Sequence, residues 1–273
     1  MSPKQRSLRW LALAGAVILT AGAVAQPAQD YKPQVGQAGK DVVWMPTPQT
    51  VVDKMLDMAK VTPQDYVVDL GSGDGRTVIT AAKRGAKAHG IEYNAELADL
   101  AKRNAAAAAM SEKATFENAD IFKTDFTKAT VVTLFLLPGL NMKLRPTLLD
   151  MKPGTRVASN SFNMGDWEPD DTATVTEDCS SFCRAYFWIV PAKVDGKWKL
   201  GGSELNIQQE FQLFKGTVKT GNVIAPIMQG KLKGDQITFA AGATQYTGVV
   251  KDNAMEGTAK TGNTEAKWTA TRE

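Results

Sequence analysis

The sequence predicts a doubly wound α/β domain followed by a small antiparallel β-module. Three observations lead there. From about residue 44 to residue 160, short continuous apolar runs alternate with stretches of helical spacing, the pattern of a parallel sheet covered on both faces. One of these runs ends in the glycine-rich turn DLGSGDGR, Asp69 to Arg76, at a strand-to-helix junction. After Pro191 the helical period disappears, and short alternating segments punctuated by Gly, Asn and Asp take its place.

At the start of the chain, Lys4, Arg6 and Arg9 precede an uncharged apolar run from Trp10 to Ala25 that ends in Ala23-Val24-Ala25. A basic flank, an apolar stretch and a small-x-small ending are the parts of a secretory signal peptide, with cleavage expected after Ala25. The run is shorter than the roughly 20 residues that span a bilayer as a helix, so no stable membrane span is expected once it is removed. Export to the periplasm or the extracellular space follows. Residues 26–43, rich in Gln, Pro, Gly and Lys without periodicity, read as a flexible spacer.

The α/β domain is expected over 44–192. A helix follows Thr47-Pro48, with Thr47 as N-cap and Pro48 in the first turn, and turns Val51, Met55, Leu56 and Met58 to a core. The spacing then predicts a strand at Tyr66–Leu70, a helix at Arg76–Arg84, a strand at Ala88–Glu92 and a helix at Ala95–Met110. Strands at Thr115–Asn118 and Val131–Leu137, a helix at Asn141–Met151 and a strand at Arg156–Ser161 complete the alternation. Ala173–Val175 and Ala185–Val190 have no helix between them and read as an antiparallel hairpin carrying CSSFC.

From 193 to 273, the segments FKGTVKTGN, MQGKLKGDQ, YTGVVKDNA and MEGTAKTGN form a weak repeat: an apolar residue before a glycine, a small or branched apolar residue two positions on, then a turn. This suits successive strands of a meander, closed as a small β-barrel or packed as a sandwich.

Composition excludes several chemistries. The formal charge of +3 comes from Lys4, Arg6 and Arg9, so the chain after the signal is neutral and offers no electrostatic case for a nucleic-acid binder. The single histidine, His89, leaves almost no material for a zinc site or a Ser-His-Asp mechanism and reads as a strand-surface or core residue. Cys179 and Cys183, four apart, suit a loop disulfide in an oxidising compartment, and no metal site is expected.

The glycine turn decides the rest. A dinucleotide fingerprint G-x-G-x-x-G counted from Gly71 would need glycine where Arg76 stands. The spacing is instead D-x-G-x-G-x-G, with Asp69, Gly71, Gly73 and Gly75, and it resembles motif I of class I S-adenosylmethionine-dependent methyltransferases. Glu92 ends the second strand, where a carboxylate can accept ribose hydroxyls, and Asp120 follows the third in NADIF, where it can accept from an adenine amino group. With MPTPQTVVDKMLDMA, the block around FLLPGLNMKLRPTLL and KPGTRVASNSFNMGDWEPD, the chain looks like the archaeal broad-specificity protein lysine methyltransferases and their mitochondrial relatives that modify the ATP synthase c-subunit. That resemblance implies a seven-strand Rossmann-like methyltransferase sheet with an appended small antiparallel β-domain, S-adenosyl-L-methionine as cofactor, and a protein substrate presenting lysine. It also implies that Thr47, Asp69, Gly71, Gly73, Asp74 and Gly75 hold the methionine end, that Glu92 with Tyr93 holds the ribose, and that Asp120 with Ile121 holds the adenine.

The acceptor side agrees. Leu136, Leu137 and Pro138 stand where methylases of planar nitrogens carry polar residues and a Pro-Pro-aromatic run. An apolar wall suits an amine that must shed its charge before attack, and no dedicated general base is then needed. Trp44, Phe162 and Trp167 are candidate aromatic walls for a lysine stem, or else core residues, and Asn160 is a further acceptor-pocket candidate. Two other readings stay open: an exported nucleoside-binding scaffold without turnover, and a methyltransferase for small molecules.

Overall fold

A computed structural model describes residues 31–273. The predicted signal peptide and residues 26–30 of the spacer lie outside the described residues. The α/β part runs α1 (Gln49–Met58), β1 (Tyr66–Leu70), α2 (Arg76–Lys83), β2 (Lys87–Glu92), α3 (Ala95–Ala107), β3 (Ala114–Asn118), β4 (Val131–Leu134), α4 (Pro138–Leu149), β5 (Arg156–Asn160), β6 (Asp171–Thr174) and β7 (Arg184–Ile189). These strands form one seven-stranded sheet in the order β3-β2-β1-β4-β5-β7-β6. The first five are parallel, and β7 enters antiparallel between β5 and β6.

Period-2 alternation sends neighbouring residues of each strand into opposite layers. Val67 and Val131 pack with Val78 and Ala82 of α2 and Ala101 of α3 on one face; Val68, Val132 and Leu134 pack with Leu144 and Leu148 of α4 and with Trp188 on the other. Both faces are covered, which is why these strands read as unbroken apolar runs.

Three expectations are corrected. β4 stops at Leu134 rather than Leu137, because the chain leaves the sheet to enter α4, whose first residue is Pro138 rather than Asn141; proline's fixed φ and missing N–H suit that first position. Pro48, not Thr47, is the N-cap of α1, and no side chain caps it. Thr47 is committed elsewhere: its carbonyl accepts from Arg76 Nη1 at 2.9 Å and its Oγ1 from Asn160 Nδ2 at 3.4 Å. Residues 33–43, expected as part of a featureless spacer, carry a small hairpin in which Gly36 N–H bonds to Trp44 O, Trp44 N–H bonds to Gln37 O, and Ala38 bridges Val43.

The C-terminal part is a closed eight-stranded barrel, β8 (Gly196–Leu200), β9 (Ser203–Glu210), β10 (Leu213–Thr220), β11 (Val223–Lys233), β12 (Gln236–Ala241), β13 (Thr244–Lys251), β14 (Ala254–Thr261) and β15 (Thr264–Arg272). Each strand pairs antiparallel with the next, and β15 closes on β8, which leaves no open edge. Alternate residues, among them Trp198, Leu205, Phe214, Phe239 and Trp268, fill the interior. The repeat's glycines have a steric reason: a Cβ at Gly216 would lie 1.8 Å from Asn206 O, and one at Gly257 1.9 Å from Thr247 O. Glycine alone lets the neighbouring strand come so close. The barrel is seated on the α/β domain by the stack of Phe211 on Trp167, by Gln212 Nε2 donating to Glu168 O at 2.8 Å, and by Ala192 N–H donating to Gly234 O at 2.8 Å.

Candidate active site

The turn after β1 holds Gly71, Gly73 and Gly75 at φ of +79°, +53° and +83°, left-handed backbone that a side chain would strain. Gly71 N–H and Ser72 N–H both donate to Ile91 O, so the turn is tied to β2. Gly75 serves packing: a Cβ there would meet the Phe116 ring at 2.7 Å and Ala101 Cβ at 2.9 Å. Glu92 at the end of β2 is 9% exposed, and its two oxygens accept from Gly73 N–H (2.8 Å) and Asn94 N–H (2.9 Å). Asn94 in turn caps α3, its Oδ1 accepting from Glu96 N–H and Leu97 N–H. Two backbone donors thus fix the Glu92 carboxylate, while the second lone pair of each oxygen remains available to a ligand.

Asp69 lies beneath the turn, 6% exposed, and accepts from Thr133 Oγ1 at 2.6 Å. Burial pushes its pKa up to about 7, with repulsion from Glu92 and Asp74 adding to the effect and the Thr133 hydrogen bond opposing it. Asp74 is clamped by Arg76, whose Nη2 lies 2.6 Å from Oδ2.

In front of the turn opens a cleft of about 940 Å³. Its floor is Gly71 to Asp74; Glu92 ends β2 and Tyr93 follows it, and Asp120 and Ile121 follow β3. Trp44 and Thr47 of the hairpin-to-helix segment face the turn, and a Cβ on Gly73 would stand 2.8 Å from the Trp44 indole nitrogen. Asp120 Oδ2 accepts from Lys40 Nζ at 2.9 Å, and that ammonium sits 4.3 Å from the Tyr93 ring centroid. The Lys40 hydrogen bond, with the Phe122 N–H, holds the Asp120 carboxyl below its ordinary value. Phe135, Leu136, Leu137, Leu140, Phe162 and Phe182 add an apolar lining; Phe135, Phe162 and Phe182 are in ring contact, and Leu136 reaches the turn, 3.1 Å from where a Cβ on Gly71 would stand.

Of the residues expected at the site, Thr47, Gly71, Gly73, Asp74, Glu92, Tyr93, Asp120, Ile121, Trp44, Leu136, Leu137 and Phe162 line this cleft. Asp69 and Gly75 support it from behind. Two acceptor-side candidates do not reach it. Trp167 is fully buried between Trp188 and Phe211, with its carbonyl accepting from Trp188 Nε1 at 2.8 Å, so its ring belongs to the core and to the barrel seat. Asn160 is fully buried at the end of β5 and bonds to Thr47 and Ser161. His89 is on the sheet surface, bonded to Thr115 Oγ1 and 3.3 Å from Glu117. Lys40, Phe135 and Phe182 join the site without having been expected there. Phe135 lies inside the strand expected over Val131–Leu137 and reaches the cleft because β4 ends at Leu134; the other two stand far from motif I in the chain, and no local pattern marks them. Cys179 and Cys183 are joined as a disulfide.

Residues 69–171 match the ANTKMT methyltransferase domain. Over 152 residues, 55% of this chain and 94% of the relative, the sequence is 41% identical to a protein-lysine N-methyltransferase of Saccharolobus islandicus (strain REY15A). The chain belongs to the ANTKMT methyltransferase family. It is 37% identical to the mouse (Mus musculus) lysine N-methyltransferase of the ATP synthase c-subunit over 39% of its own length, and there it spans only 43% of the relative. Among solved structures it resembles an RNA methyltransferase from Salinibacter ruber in complex with S-adenosyl-L-homocysteine, with 44% identity and a TM-score of 0.52 over 55% of this chain and 96% of that one.

As an ANTKMT-family methyltransferase the protein uses S-adenosylmethionine as its cofactor. Its residues fit that group. Glu92 offers two oriented oxygens to a pair of hydroxyls, and Asp120 offers a carboxylate to an amino group. Ser72 Oγ is buried beside the cleft with no partner among the described residues. The carboxylates of Asp74, Glu92 and Asp120 suit a ligand that carries a sulfonium and an ammonium. The group supplies an electrophilic methyl on sulfur; the chain's part is to hold, orient and desolvate what meets it.

Proposed function

We propose that this protein methylates lysine side chains of a protein substrate, and that it does so outside the cytosol. The observation that carries the acceptor reading is the contrast between the charged and the apolar lining of the cleft. The cleft holds Asp41, Asp74, Glu92, Glu96 and Asp120 against Lys40 and Arg76, together with an apolar set that includes Phe135, Leu136, Leu137, Leu140, Phe162 and Phe182. The excess of carboxylates draws in a cationic lysine; the apolar lining strips its water, which lowers its pKa against the opposing pull of the carboxylates and the ring π faces and gives the neutral amine that can attack. The proton leaves to water as the charge disperses, so no side chain is required as base. The mouth is open, with Leu137 47% and Phe182 37% exposed, which suits a side chain delivered on a long stem from a large substrate.

The same acidic lining disfavours the phosphate backbone of RNA, the substrate class named for the Salinibacter ruber structure. The names of the archaeal and mouse relatives support lysine. Export rests on the basic-apolar-small pattern of residues 4–25 and is supported by the Cys179–Cys183 bridge, a pairing that persists in oxidising compartments. No helix among the described residues is long and apolar enough to cross a membrane.

The test is transfer of radiolabelled methyl from S-adenosylmethionine to periplasmic, membrane and RNA fractions. Label on protein, released as methyl-lysine on hydrolysis, supports the reading; label on RNA or on small molecules alone overturns it. Cell fractionation with intact-mass analysis tests the address: a chain beginning at Gln26 with the disulfide closed supports export, and a full-length reduced cytosolic chain removes it.

A further inference from the structure

We propose that Phe182, carried on the loop closed by the Cys179–Cys183 disulfide, is an acceptor-specificity residue: with Phe135 and Phe162 it forms the aromatic face that holds the ammonium end of the incoming side chain. The proposal rests on the lysine reading above and assigns the residues that execute it.

The loop joins the antiparallel strands β6 and β7, at the far edge of the sheet from β3, yet its Phe182 lines the same cleft as the motif I turn. Its ring lies 5.2 Å from Phe135, edge to face at 61°, and 6.3 Å from Phe162. Phe135 and Phe162 stack at 6.1 Å and 20°. The three rings therefore touch one another and make a continuous wall rather than three separate hydrophobes. The π faces left open on such a wall attract a cation and accept its methyl or methylene groups equally well.

Ordinary core packing accounts poorly for Phe182. The residue keeps 37% of its surface exposed while contacting two other rings, so it is only partly withdrawn from water. Its backbone stands at φ +56°, in the left-handed region that a bulky residue occupies only when its surroundings impose it. The surroundings are visible. Cys179 packs against Val51, Met55, Ala158 and Ala185 of the core; Cys183 O accepts from Val175 N–H at 2.8 Å; and Arg184 O accepts from Ser161 N–H at 2.7 Å. The bridge spans the four-residue step between these anchored ends and confines the strained residue to the cleft mouth. Phe182 meets the acceptor; the disulfide is a positioning element.

The probe is n-butyltrimethylammonium, a trimethyl-lysine side chain without its backbone, titrated onto protein saturated with S-adenosylhomocysteine and carrying ring-fluorinated phenylalanine read by fluorine NMR. The expected result is saturable shifts of three phenylalanine signals, loss of one of them in Phe182→Ala, and probe affinity about tenfold lower in that variant. Phe182→Tyr should restore the affinity. The double variant Cys179→Ser/Cys183→Ser should weaken the probe similarly, with S-adenosylhomocysteine affinity unchanged by calorimetry, which separates a displaced loop from a misfolded domain. Wild-type protein that binds S-adenosylhomocysteine but shows no probe shifts, or Phe182→Ala that binds the probe as tightly as wild type, overturns the proposal. Failure of the lysine reading is seen separately, as absence of methyl-lysine in the label-transfer experiment.

Discussion

Lys40 Nζ donates to Asp120 Oδ2 at 2.9 Å, so an ammonium of the N-terminal hairpin sits on the carboxylate best placed to receive the adenine amino group. The same ammonium faces the Tyr93 ring. For adenine to take that carboxylate, Lys40 must give it up. Lys40→Met is therefore expected to tighten S-adenosylhomocysteine binding about two- to fivefold, the scale of an exposed pair. Added salt should tighten the wild type and leave the variant unmoved. Calorimetric titration at two ionic strengths checks this; weaker binding by the variant would show that Lys40 holds the cofactor rather than competing with it.

Glu92 has a double task, since Gly73 N–H and Asn94 N–H both depend on it. Replacing it with glutamine turns an amide N–H toward one of these donors and leaves a buried N–H unpaired. Glu92→Gln should lower cofactor affinity by at least about tenfold and destabilise the domain by about 1–3 kcal/mol. Calorimetry and urea denaturation read the two effects; affinity equal to wild type would remove Glu92 from the cofactor site.

Asp69 gives the fold a pH dependence of definite sign. Its folded-state pKa near 7 lies above the ordinary 3.8, so between these values the folded protein keeps a proton that the unfolded chain has released. That difference makes the Asp69 contribution to stability fall as pH rises from about 4 to about 7 and level off above. Asp69→Asn cannot ionise, and its stability relative to wild type should increase by more than about 1 kcal/mol between pH 5 and pH 8. Paired denaturation curves at the two pH values decide it; a parallel pH response in both proteins would mean that Asp69 is ionised throughout.

The barrel should be separable from donor binding, because no barrel residue lines the cleft among the described residues. Gly216→Ala would drive a methyl into Asn206 O, 1.8 Å away, at a backbone φ of +152°. A loss of roughly 1–3 kcal/mol in barrel stability is expected, with S-adenosylhomocysteine affinity unchanged. Thermal unfolding and calorimetry on the same preparation test this, and a large loss of affinity would reveal a coupling between barrel and cleft.

The parts of the site that were legible in sequence share one property: local chemistry forces them. DLGSGDGR needs its glycines because Gly71, Gly73 and Gly75 are all left-handed, and Glu92 and Asp120 stand out because they fall at and just after the ends of the next two strands. Trp167 and Phe182 show where that stops. Both are large aromatics in loops beside the last strands, and nothing nearby in sequence separates them, yet one is sealed beneath the barrel and the other opens onto the cleft.

From sequence alone came the order of strands and helices, the motif I turn, two of the carboxylates that line the cleft and the repeat that builds the barrel, since periodicity, proline, glycine and charge act within a few residues. Only the tertiary structure decided that the sheet order carries the β6–β7 loop to the cleft mouth, that Lys40 reaches Asp120 across 80 residues of chain, and that Phe211 takes Trp167 into the core. These are contacts between segments remote in sequence, settled by which surfaces are left to pack once the sheet has formed.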